Sequence, residues 1–166
     1  VLVIESPEKF SELIQELYLS KQGGEGKVLL SEADKLLNMG KFLELVVNPF
    51  AIDVNEKRIV QKLYQEIESQ VQEQLVLETA EIHSRLISYL EEIAGKVTYP
   101  VTFDLEENVL GLMKIYNVRL ETESITLLEK LVEYFRLLHQ LCRVEVIVCV
   151  NLKSYLSESE LRQLYE

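Results

Sequence analysis

The spacing of apolar residues changes twice along the chain, and each change marks a boundary. Val1 to Glu5, VLVIE, is a β-branched run that predicts a buried strand. Ser6-Pro7-Glu8 then supplies an N-cap, a proline at the first helical position and a first-turn acid. Phe10, Leu13, Ile14 and Leu17 follow at helical spacing, which gives strand, tight turn, helix. Residues 22–26 form a glycine-rich loop, 27–30 a second short strand, and 43–47 a third that ends at Asn48-Pro49.

After Asp53-Val54-Asn55, which reads as a helix cap, the period is helical. Ile59, Leu63, Ile67 and Val71 mark one stripe, and Ile82, Leu86, Tyr89, Leu90 and Ile93 a second. Gly95 closes the pattern as a C-cap. The span 55–95 is one long helix or two in tandem, well beyond the usual ~11–12 residues. A helix of that length in so small a chain is expected to protrude or to pack on a partner. Residues 99–103 look extended, 106–116 helical, and 125–141 form another long helix with Leu128, Leu131, Val132, Phe135, Leu138 and His139 at core spacing. Val144 to Val150, VEVIVCV, is the strongest strand signal, and a last helix starts at Ser157. Strands towards both ends with a helical excursion between them predict an α/β head carrying an inserted leg. The head comprises 1–52 plus 143–166, and the leg 53–142. The near-continuous apolar strands predict a small, mostly parallel sheet. Because the chain opens inside an apparent strand without a methionine, it is expected to be part of something longer.

Composition narrows the function. The chain has 166 residues with 48% hydrophobic and 27% charged residues, as in an ordinary globular protein, and a net charge of −11. That charge repels nucleic acid and anionic membrane, so a nucleic-acid role requires Lys and Arg gathered locally. Cys142 and Cys149, the only cysteines, sit in apolar contexts without metal-ligand spacing and read as thiols in a reducing compartment. No apolar run approaches the ~20 residues of a membrane span.

Catalytic motifs fail on inspection. In Gly23-Gly24-Glu25-Gly26-Lys27, a phosphate loop would need glycine where Lys21 stands and Ser or Thr where Val28 stands. The loop also follows a helix and precedes a strand, the reverse of the order such loops require, so a plain turn is the better account. His83 and His139 are the only histidines; His139 lies three residues before Cys142, but no second pair completes a tetrahedral metal set. There is no nucleophile-elbow sequence. The residues make no case for an enzyme.

Acidic side chains cluster at Asp104, Glu106, Glu107, Glu121, Glu123 and Glu129. If the two segments meet, they form an oxygen-rich site for a hard cation such as calcium. If not, they are solvated helix faces. Of the cations, Lys57, Arg58 and Lys62 share one helix start, and Lys114 and Arg119 flank the short helix.

Several segments together resemble the small CRISPR-associated spacer-acquisition protein of type II-A systems. These are AIDVNEKRIVQKLYQEIESQ at 51–70, VRLETESITLLEKLVEYF at 118–135, EVIVCVNLKSYLSESEL at 145–161 and the opening VLVIES. The resemblance implies a head distantly related to P-loop NTPases, in degenerate form, with an α-helical leg. It implies a bacterial cytoplasmic, non-catalytic homotetrameric ring that binds the ends of linear double-stranded DNA during spacer acquisition in antiviral defence. It further implies calcium ions held by leg acids, with Asp104, Glu106, Glu107, Glu121, Glu123 and Glu129 as candidate ligands. Lys57, Arg58 and Lys114 are the candidates for DNA contact. Other CRISPR adaptation proteins and the RNA-guided nuclease are the implied partners. Two other classes stay open: a helical scaffold that binds adaptation proteins without DNA, and an NTPase.

Overall fold

The computed structural model describes residues 1–24, 26–103, 108–123 and 125–165. Its chain is mixed α/β, with seven α-helices and two two-stranded sheets among the described residues. Contacts divide it into two compact units: Val1–Ile59 with Glu121–Glu166, and Val60–Leu120.

The first unit begins with α1 (Pro7–Lys21), started as its sequence dictates: the Ser6 side chain accepts from the Lys9 amide, and Pro7 occupies the first turn. The expected strand at 1–5 does not form; Val1, Leu2 and Val3 are 89%, 75% and 73% exposed. A β-branched run favours extended backbone but cannot supply its own ladder partner. The second expected strand is displaced as well. Lys27 donates its amide to Glu16 Oε2 at 2.7 Å rather than to a ladder. The strands β1 (Leu30–Glu32) and β2 (Lys35–Leu37) instead form an antiparallel hairpin. Its two turn residues, Ala33 and Asp34, have φ of 47° and 64°, the left-handed pair of a type I′ turn.

A short helix α2 (Met39–Phe42) leads into β3 (Leu43–Val46), which pairs in parallel with β4 (Val146–Cys149), Leu43 opposite Val146 and Val46 opposite Cys149. Of the small, mostly parallel sheet that the apolar runs predicted, this one pair is parallel, while β1 and β2 pair antiparallel in a separate sheet. Each strand runs into a 3₁₀ turn, Pro49–Ala51 after β3 and Leu152–Ser154 after β4. On one side Leu17, Met39 and Leu43 form a core against which Leu13, Ile14, Leu45, Val146 and Val148 pack. The helices α6 (Leu127–Gln140) and α7 (Glu158–Tyr165) belong to the same unit. Leu131 and Leu138 of α6 are 0% exposed, each worth ~1.5–3 kcal/mol of apolar burial. This burial, against α7 and the Pro49–Ala51 turn, puts 127–140 with the sheet rather than with the helical excursion to which its pattern had assigned it.

The excursion itself is α3 (Lys57–Gln74), α4 (Val76–Ala94) and α5 (Val109–Ile115). The long helical span is two helices in tandem, separated by Leu75 alone; Leu75 still donates to the Val71 carbonyl at 2.9 Å. Gly95 is the C-cap of α4, in right-handed rather than left-handed conformation, with φ −68°. Within the second unit, Tyr64 donates its hydroxyl to the Val118 carbonyl at 2.9 Å, fastening α3 to the segment after α5. Residues 99–103 take no regular secondary structure. No helix among the described residues is long and apolar enough to cross a membrane.

Candidate functional site

The acidic stretch at 121–129 leads into α6. Thr126 and Glu129 form a reciprocal capping box there: Thr126 Oγ1 accepts from the Glu129 amide at 3.2 Å, and Glu129 Oε2 accepts from the amides of Thr126 (2.8 Å) and Ile125 (3.0 Å). These bonds stabilise the ionised form, so the Glu129 carboxyl lies below its ordinary pKa, the Thr126 amide being the main cause. Glu121, Glu123, Glu129 and Glu133 border one open groove of about 800 Å³, together with Arg136 of α6 and Gln163 of α7.

Asp104, Glu106 and Glu107 lie outside the described residues. Among the described residues, no three acidic, histidine or cysteine side chains come close enough to hold a metal ion. Glu121, Glu123 and Glu129 therefore share a groove but do not by themselves form a ligand set, and one oxygen of Glu129 is already committed to backbone amides. A calcium site built on these residues would need further oxygen ligands.

The cations are placed differently from one another. Lys57, at the start of α3, and Lys114, near the end of α5, are exposed. Arg58 is half-buried and bonded within the fold. Its Nη1 donates to Glu44 Oε2 at 3.2 Å and its Nη2 to the Lys41 carbonyl at 2.7 Å. Glu44 is 8% exposed in the apolar strand β3 and also accepts from Lys21 Nζ at 2.5 Å. Glu56 and Tyr134 border this group. Burial, and then the Glu44 charge, push both the Glu56 carboxyl and the Tyr134 phenol above their usual pKa values, against the pull of Arg58. Sequence reasoning passed over this cluster; the available signal was a single acid, Glu44, inside LELVV.

The glycine loop is a helix terminus. Gln22 is the C-cap of α1, and Gly23 follows with φ 82°. Gly24 donates to Leu19 O at 2.9 Å and Gly23 to Ser20 O at 3.2 Å, the bond pair of a Schellman motif. The amides that a phosphate cradle would aim at an anion here cap the carbonyls of α1, and Lys27 faces Glu12 and Glu16 at 3.5 and 3.8 Å. Nor do the histidine and cysteine candidates form a site: His139 Nδ1 lies 3.2 Å from Val144 O, Cys142 is buried, and burial pushes the Cys149 thiol up to about 11.

Residues 20–166 match the sequence profile of a family described as CRISPR-associated protein (Cas_Csn2). The chain belongs to the Csn2 family. It is 26% identical over 176 residues to the CRISPR-associated protein Csn2 of Streptococcus agalactiae, covering 100% of this chain and 75% of that protein. The Csn2 protein of Enterococcus faecalis is 25% identical over 168 residues, covering 99% of this chain and 75% of the relative. The resemblance read from 51–70, 118–135 and 145–161 thus holds along almost the whole chain. Membership in Csn2 ties the protein to CRISPR-related defence.

Proposed function

We propose that this Csn2-family chain is a non-catalytic, cytoplasmic protein of bacterial CRISPR spacer acquisition that binds the ends of linear double-stranded DNA as a homotetrameric ring. The observation that carries this reading is the family match over residues 20–166. Other features are compatible with it. Exposed apolar residues on α4, including Ile82, Leu86, Tyr89 and Ile93, repeat on one helical face suited to association with a partner. A ring can reconcile the net charge of −11 with DNA by turning a minority of cations inward, Lys57 and Lys114 being the exposed candidates. Phosphate contacts of that kind are sequence-independent and weaken with salt.

In this reading the α/β head is a degenerate relative of P-loop NTPases. Calcium, held by carboxylates among Asp104, Glu106, Glu107, Glu121, Glu123 and Glu129, would screen their mutual repulsion and brace the assembly. Other CRISPR adaptation proteins and the RNA-guided nuclease would be the partners. The decisive experiment is a mobility shift with linear and closed-circular duplex of one sequence, in calcium and then in chelator. Preference for linear DNA that weakens in chelator is expected. Absence of binding to either form at low salt with calcium present would favour a helical scaffold for adaptation proteins. The NTPase reading has only the proposed ancestry behind it, and measurable ATP turnover would revive it.

A further inference from the structure

Two helices each bring a cation to one buried carboxylate, and a third holds one of those cations. Glu44 lies in β3 at 8% exposure with both oxygens engaged. Oε1 accepts from Lys21 Nζ at 2.5 Å and from the Leu45 amide at 3.2 Å, and Oε2 accepts from Arg58 Nη1 at 3.2 Å. The other terminal nitrogen of Arg58 reaches the Lys41 carbonyl at 2.7 Å. Lys21 is the last residue of α1, Lys41 lies in α2, and Arg58 is the second residue of α3. An anion this far from water is strongly disfavoured unless it is paired and hydrogen-bonded, and removing one partner leaves the others uncompensated. A guanidinium is a rigid planar fork of fixed charge, so two bonds to separate acceptors set the position of its side chain as a flexible ammonium would not. Each terminal nitrogen of Arg58 donates one bond inside the fold, and its side chain is 30% exposed.

We propose that Arg58 is a positioning residue and not a phosphate ligand: through Glu44 and the Lys41 carbonyl it fixes the first turn of α3 on the α2–β3 corner. Next to it, Ile59 is 0% exposed, so the turn is held by a polar contact and an apolar one on successive residues. Lys21 completes the arrangement by giving Glu44 a second cation. The proposal concerns the fold around the start of α3, and only its DNA readout rests on the function proposed above.

The test uses Arg58→Gln, Glu44→Gln and the double variant, with thermal melting, amide exchange at 57–61, and the salt dependence of binding to linear duplex. Each single variant is expected to lower the melting midpoint by about 4–10 °C and to speed exchange at 57–61. The double variant should fall no further than the more damaging single, because both remove one coupled unit. The slope of log affinity against log salt should be unchanged in Arg58→Gln, whereas loss of a phosphate contact would reduce it by about one. Arg58→Lys keeps the charge without the fork and should still speed exchange, which keeps the question decidable if Glu44→Gln fails to fold. Unchanged melting and exchange in Arg58→Gln with a reduced salt slope would overturn the proposal, as would additive single variants or full recovery in Arg58→Lys. If the wild-type protein binds no duplex at all, melting and exchange still decide the positioning role, so the two readings fail separately.

Discussion

Alanine at Gly23 distinguishes a helix terminus from a phosphate loop. Gly23 has φ 82°, and a Cβ built on it meets nothing within 4 Å, so the substitution is not opposed by a clash. Its cost is conformational: an L-residue held left-handed loses roughly 1–2 kcal/mol. At about 2–4 °C per kcal/mol for a chain of this size, the melting midpoint should fall by roughly 2–8 °C, followed by helical circular dichroism. Gly26→Ala serves as a contrasting variant with a different cause. There the new Cβ would lie 1.9 Å from Ser20 Oγ and 3.0 Å from Glu16 O. A hydroxyl can rotate away, but the Glu16 carbonyl belongs to the backbone of α1, so a larger fall is expected. Neither substitution should alter the response of the melt to magnesium and a nucleoside triphosphate. An unchanged midpoint in Gly23→Ala, or a triphosphate-dependent stabilisation of the wild type that the variant loses, would refute the helix-terminus account.

Further outcomes follow from the same geometry. Alanine at both Glu121 and Glu123 is expected to weaken calcium-dependent assembly, seen by sedimentation velocity in calcium and in chelator; an unaltered sedimentation profile and calcium affinity would leave these acids as solvated side chains. The Glu56 carboxyl is raised in the fold, by burial first and the Glu44 charge second, so the folded state holds its proton to higher pH than the unfolded chain does. Its contribution to stability is therefore present below the unfolded value of about 4.5 and declines as pH rises through the folded value. Glu129 and Glu160 act in the opposite sense, their lowered values giving stability that is lost on acidification. A Glu56→Gln variant should accordingly gain on the wild type as pH rises from about 4.5 towards neutrality, measured as the difference between their denaturation midpoints; parallel profiles would show that Glu56 titrates normally.

How legible a feature was depended on how far apart in the chain its parts lie. Helix starts and periods involve residues three or four apart, and these were readable: the Ser6-Pro7 start of α1, the tandem stripes of α3 and α4, and the apolar face of α6. The Thr126–Glu129 capping box obeys the same local rule, yet in the sequence the acid at 129 is equally a candidate cation ligand, because a carboxylate looks the same whether it will bind an ion or two backbone amides. Strand pairing is not local. VLVIE and LELVV have similar composition, but β3 gains a ladder only because β4, about a hundred residues later, lies beside it, while residues 1–5 find none. The candidate acids were nameable from sequence, but which of them share a groove was not.

The sequence by itself determined the mixed α/β character, the helical excursion and the family, since these rest on local periodicity and on ordered segments that survive at 25–26% identity. Only the tertiary structure decided that Arg58 pairs with Glu44, that the glycine loop caps α1, and that α6 belongs to the unit that holds the parallel sheet. Residues 21, 44, 56, 58 and 134 carry no mutual pattern along the chain. They become one electrostatic unit when folding removes water from around Glu44, because a buried charge must be compensated by whatever cations the packing brings within reach.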